Sequence, residues 1–253
     1  MVVAKKLMRN GNVKLVAVSL SSECIKSPRC TFCYQTMQKA IPYKEWELSD
    51  ALSKVVEKNS PETVSFEYNG YNLGFILHWI TYDEPTPNIT ITTMPMLVTK
   101  TFCGFIKANG ISAIAISYDR EKCGDWEWIE KAKIAKKAGL KVSCNYLIPK
   151  DVNPALYVID IPIDILNNSD QINLLIEKPN GKIKDIYALR LAIMLLKSIT
   201  KTPIVTDNCL AVQLGFKENC GAGEEFIHIL PNGRIVPCSF GKLCFLYRKG
   251  LNT

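Results

Sequence analysis

Several features are scarce or missing in this chain of 253 residues. No apolar run approaches the ~18 residues that a membrane-spanning helix needs, which argues against a transmembrane protein. No block of Lys or Arg stands out. Lys and Arg total 31 against 24 Asp and Glu, a net charge of +7, which permits an anionic partner without requiring one. Histidine is confined to His78 and His228, too far apart to suggest a His-based metal site or triad. His228 alternates with Ile227 and Ile229, so it is expected to face solvent from a hairpin. There is no internal repeat and no low-complexity segment. With 47% hydrophobic and 22% charged residues, the balance is that of an ordinary globular chain, and disorder, collagen and coiled coil are excluded. The length suits one large domain, or one domain with a small appendage. No export signal is expected either. Lys5, Lys6 and Arg9 stand ahead of a partly apolar stretch, but Lys14 interrupts it, and Glu23 precedes Cys24 where a lipoprotein processing site wants a small residue. The expected location is a reducing cytoplasm, with no membrane association.

Cysteine is what the chain has in unusual number: ten, at 24, 30, 33, 103, 123, 144, 209, 220, 238 and 244. In a reducing compartment clustered cysteines read better as metal ligands than as disulfides. Cys144, in an apolar strand, reads as a small buried hydrophobe, and Cys123 as a loop cysteine.

Strand-like segments at 12–20, 63–70, 88–93, 112–119, 141–148 and 171–177 alternate with helical spacing at 46–58, 101–109, 125–138 and 186–199. Ser49 and Asp50 are plausible caps of the first of these helices. Asn153-Pro154 and Ile161-Pro162 are expected to break helical structure between 150 and 168. The alternation predicts an α/β fold built of βα units around a parallel sheet, a partial (β/α)6 TIM-like barrel, over 12–200. From 203 to 253 the character changes to a small cysteine-bearing extension, with a β-hairpin at 225–238 turning at Pro-Asn-Gly.

Cys24, Cys30 and Cys33 form C-x5-C-x2-C just after the first strand. The loop following a strand's C-terminal end is where active sites assemble in parallel α/β folds. Three thiolates can hold three corners of a [4Fe-4S] cubane and leave one iron open, since full protein ligation takes four cysteines. A zinc site, or cysteines that only support the loop, is the alternative. The set resembles the radical S-adenosylmethionine (SAM) superfamily, with Phe32 as the aromatic between the last two cysteines and a first gap longer than the usual three residues. Later motifs follow in the family's order: Glu67-Tyr68-Asn69-Gly70 in place of a Gly-Gly-Glu-like turn, Thr92-Thr93 ending strand three, Ile116-Ser117-Tyr118-Asp119 on strand four, and Ala138-Gly139 leading to Asn145 on strand five. The resemblance implies SAM contacts from Phe32, Asn69, Gly70, Thr93, Ser117 and Asn145. It also implies reductive SAM cleavage to a 5′-deoxyadenosyl radical that abstracts hydrogen from a substrate.

The tail carries Cys209, Cys220, Cys238 and Cys244, a set that could ligate a [4Fe-4S] cluster or a tetrahedral zinc. The stretch 220–238 resembles the SPASM and Twitch extensions of the same superfamily, which implies one auxiliary [4Fe-4S] cluster. The implied partners are a small-molecule or peptide substrate and an external electron donor such as ferredoxin or flavodoxin. An RNA- or nucleotide-modifying enzyme, and a non-enzymatic zinc or Fe–S protein, are the other readings. The substrate is not legible in the sequence.

Overall fold

The computed structural model describes residues 13–25, 40–82, 87–120, 123–149, 151–177, 183 and 185–238. In chain order the elements are β1 (Leu15–Ser19), α1 (Glu45–Asn59), β2 (Thr63–Glu67), α2 (Leu73–Tyr82), β3 (Asn88–Thr93), α3 (Lys100–Ala108), β4 (Ala113–Tyr118), α4 (Asp125–Lys137), β5 (Lys141–Ile148), α5 (Pro154–Ile159), α6 (Ile163–Asn168), β6 (Gln171–Ile176), α7 (Ile186–Ile199), β7 (Ile204–Thr206), α8 (Asn208–Gln213), β8 (Phe226–Ile229) and β9 (Ile235–Val236). Through α7, strand and helix alternate as six βα units, so the α/β class and its six-unit pattern are as the sequence implies.

The chain forms two compact units. The first comprises the chain up to Thr93, residues 104–113 and the segment from Gly221; the second comprises 94–103 and 114–220.

In the first unit the strand order is β3-β2-β1-β8-β9. Strands β2 and β8 both run parallel to β1, with Ala17 in register with Ser65 on one side and His228 on the other. One sheet face is apolar: Val16, Val18, Val64, Phe66, Ile91, Ile227 and Ile229 are buried. Phe66 meets Phe75 and Trp79 of α2 edge-on, with ring centroids 6.3 and 5.9 Å apart. Each such side chain contributes about 1.5–3 kcal/mol by burial. The opposite face carries Ala17, Ser19, Ser65, Glu67, Thr90, Thr92 and His228, by strand alternation. Helix α1 buries Leu48, Ala51, Leu52 and Val55 and ends at Ser60 in the left-handed region. Ser49 and Asp50 lie inside it, so they are not caps; the N-cap is Lys44, without a side-chain cap bond.

The expected hairpin forms, with β9 antiparallel to β8. Its first strand joins the parallel sheet beside β1. This corrects the expectation for His228, which is 1% exposed. The edge that would face water in an isolated hairpin is covered by β1, beginning with the Lys14 N–H donating to the Glu225 carbonyl at 2.7 Å. Gly233, at φ +74°, lies against α1: a Cβ there would fall 2.2 Å from the Glu47 carbonyl oxygen.

In the second unit the order is β4-β5-β6-β7, with β5, β6 and β7 parallel. Val142, Cys144, Tyr146, Ile172, Leu174 and Ile176 are buried on one face. Trp128 of α4 is fully buried, with its indole N–H on the Ile116 carbonyl at 3.3 Å. The prolines of 150–168 start helices instead of breaking them. Asn153 caps α5, accepting from the Ala155 and Leu156 N–H groups, and Pro154 occupies the first turn, where no N–H is needed. Pro162 immediately precedes α6.

Candidate functional site

The first unit gathers its polar groups where β1, β2 and β3 end. The loop after β1 carries Cys24, half-buried. Its base is closed by a reciprocal pair: Ser22 Oγ donates to the Ile41 carbonyl at 2.9 Å and accepts from the Ile41 N–H at 3.1 Å. The segment between those two residues contains Cys24, Cys30 and Cys33. Cys30, Cys33 and Phe32 lie outside the described residues.

The turn after β2 shapes the start of this loop. The Asn69 side-chain amide donates to the Ser21 carbonyl at 3.2 Å and to the Glu23 carbonyl. The Asn69 backbone carbonyl accepts from the Ile25 N–H at 3.4 Å. Asn72 adds a donation to the Leu20 carbonyl at 2.8 Å. Gly70 sits at φ +104°, and a Cβ there would lie 2.6 Å from Ile25 Cγ2. Both the backbone angle and the close approach therefore require glycine. Thr93 Oγ1, buried at the end of β3, donates to the Tyr68 carbonyl at 2.8 Å and braces the same turn. Four of the sequence-predicted residues, Cys24, Asn69, Gly70 and Thr93, are thus brought together, and Asn69 acts by holding the cysteine loop.

Ser117 and Asn145 belong to the second unit. Ser117 is exposed on β4. On β5, Asn145 Oδ1 accepts from Asn173 at 2.7 Å, and Asn173 Oδ1 accepts from Gln171 at 2.6 Å, a neutral amide ladder across β5 and β6.

Sequence reasoning missed a further cluster on the polar face of the first unit. Ser19 Oγ donates to Glu67 Oε2 at 2.5 Å and meets His228 Nε2 at 2.7 Å. A hydroxyl has one hydrogen, and it goes to the carboxylate. The contact with His228 is then an Nε2–H donation to Ser19, which fixes the imidazole tautomer. Burial pushes the His228 pKa below its usual value, and the Glu67 carboxylate, 3.7 Å away, opposes that shift. The signal available in sequence was a lone polar residue at each strand position; its meaning required knowing that β8 lies beside β1.

Of the tail cysteines, Cys209 is buried in α8 of the second unit, Cys220 is half-buried, and Cys238 is buried after β9 in the first unit. Cys244 lies outside the described residues. Among the described residues no three Cys, His, Asp or Glu side chains converge as a metal site. Nor is any helix among them long and apolar enough to cross a membrane. Burial raises the thiol of Cys103 to about 11, with Lys131 partly offsetting the shift.

No family model matches the sequence, and no curated protein does. Solved structures do. Streptococcus suis SuiB bound to S-adenosylmethionine is similar over 92% of this chain, with a TM-score of 0.69 and 18% identity. SuiB bound to its precursor peptide SuiA gives 0.68 and 19% over 93%. Methylornithine synthase (PylB) gives 0.58 and 15%, over 90% of this chain and 76% of its own. These likenesses show a shared fold, and the chain spans 62% of the length of the SuiB chain.

Proposed function

We propose that this chain is a radical SAM enzyme. The observation that carries the reading is the cysteine loop after β1. Its base is pinched by Ser22 and Ile41, and its start is held by Asn69 from the β2 turn, in a fold shared with a protein solved with SAM bound. The donor set fits in chemistry: Cys24 follows β1, beside the polar turn after β2, and the sequence carries Cys30 and Cys33 between Ser22 and Ile41. Cys24, Cys30 and Cys33 would hold a [4Fe-4S] cluster.

With SAM bound and an electron from a ferredoxin or flavodoxin, such a cluster supplies a 5′-deoxyadenosyl radical that removes hydrogen from an unactivated C–H bond. The chain's own part is positioning. Asn69 and Gly70 set the path of the cysteine loop, and Thr93 braces the turn that presents them. Asn145 has its oxygen engaged by Asn173, so what it offers a ligand is N–H donors, suited to a carboxylate or ribose hydroxyl. Ser117 offers a hydroxyl. Cys209, Cys220, Cys238 and Cys244 are the candidate ligands of an auxiliary cluster. The substrate class we favour is a small molecule or a peptide side chain; the likeness to SuiB, solved with a precursor peptide, and to methylornithine synthase supports both.

The test is anaerobic purification, metal analysis and incubation with SAM and dithionite. The expected result is about eight irons per chain and release of 5′-deoxyadenosine. Cys30→Ala should abolish that release while keeping about half of the iron. Zinc alone, or SAM cleavage that survives Cys30→Ala, overturns the reading.

A further inference from the structure

Helix α7 of the second unit is apolar on two sides. Leu189, Ala192, Ile193 and Leu196 face the interior and are buried. At 3.6 residues per turn, Tyr187, Leu191, Met194, Leu195 and Ile199 fall on an adjoining stripe. They are exposed, Tyr187 by 82% and Ile199 by 70%. The exposed polar residues of this helix are Arg190, Lys197 and Ser198 only, and the Arg190 guanidinium is already placed 5.5 Å over the Phe216 ring. Helix α5, packed against α7, adds Leu156 and Ile159, both exposed. Single exposed hydrophobics are ordinary, but a contiguous stripe marks an interface, because a helix that is apolar nearly all round belongs in an interior.

We propose that this stripe is covered by a second copy of the chain, with the two α7 helices packed antiparallel across a two-fold axis. The area fits: seven large side chains this exposed present surface on the order of the ~800 Å² per partner of a stable interface. The charges fit as well. Exposed Asp185 stands at the N-terminal end of α7, while Lys197 and Lys201 stand at its C-terminal end. Antiparallel pairing sets the C-terminal end of one helix, followed by Lys201, next to the N-terminal end of the other, capped by Asp185, and opposes the two helix dipoles. A two-fold contact also requires a self-complementary patch, which an uncharged apolar stripe is.

Light scattering on the full chain at micromolar concentration tests this, with a mass twice 28.4 kDa expected. Leu191→Glu combined with Met194→Glu should return the mass to that of one chain and weaken association at least ~100-fold, as loss of a central apolar anchor does. Circular dichroism checks that this pair still folds. Trp126→Glu, at an equally exposed apolar residue on α4, should leave the dimer intact. A wild-type monomer, a dimer that survives the double substitution, or a monomer that sediments with anionic phospholipid vesicles overturns the proposal.

Discussion

The two units leave one sheet face polar in different ways. In the first, Ser19, Glu67 and His228 form a closed set with two ionisable members, one of them 209 residues from Ser19 in sequence. In the second, Asn145, Asn173 and Gln171 form a neutral ladder between adjacent strands. Amides donate and accept at any ordinary pH, whereas an imidazole and a carboxylate change their capacity on titration. The first face is therefore sensitive to its surroundings and strongly directional; the second is indifferent to pH and serves register.

The sharpest way to break this contrast is Glu67→Ala. It leaves the Ser19 hydroxyl and, behind it, the buried His228 without their charged acceptor, and should cost about 2–3 kcal/mol in urea unfolding. Asn69→Ala comes next. Losing two donations to loop carbonyls should cost about 2 kcal/mol, and iron retained after anaerobic purification should fall with it. In the second unit, Asn173→Ala should cost about 1 kcal/mol; a cost equal to that of Glu67→Ala would erase the distinction drawn above. The smallest effect is the pH dependence. His228 has a lowered pKa in the folded chain, so its contribution is complete above the unfolded value of 6.5 and is lost as pH falls from there through the lower folded value. Stability measured from pH 7.5 downward should decline, and His228→Gln should flatten that decline. An unchanged slope in His228→Gln would show that the first face titrates through other groups.

Much of the fold was legible because its periodicities are clean. The stretch 88–93 alternates strictly and is β3; 141–148 is β5 and 186–199 is α7, without adjustment. Helix α2 was not legible. Leu-Gly-Phe-Ile-Leu-His-Trp-Ile-Thr-Tyr is apolar on nearly every side, so no contrast between faces announces a helix. The prolines at 154 and 162 read as breakers because their effect depends on position in the turn, which Asn153 reveals only once it is seen capping. At the site, the cysteine loop, Asn69, Gly70 and Thr93 were visible as a motif in order. The role of Asn69 as a clamp on the loop, and the burial of His228, depend on contacts between segments far apart in the chain, which local pattern cannot encode.

Strand β1 is flanked by β2 on one side and β8 on the other. Strand β8 leaves the ribosome about 200 residues after β1, so one edge of β1 waits over that stretch of synthesis with its backbone amides unmatched. Such an edge invites pairing with other nascent chains, and closing so long a loop is slow. Truncation before Phe226 would leave that edge permanently bare, so the closing strand guards the opening one against aggregation.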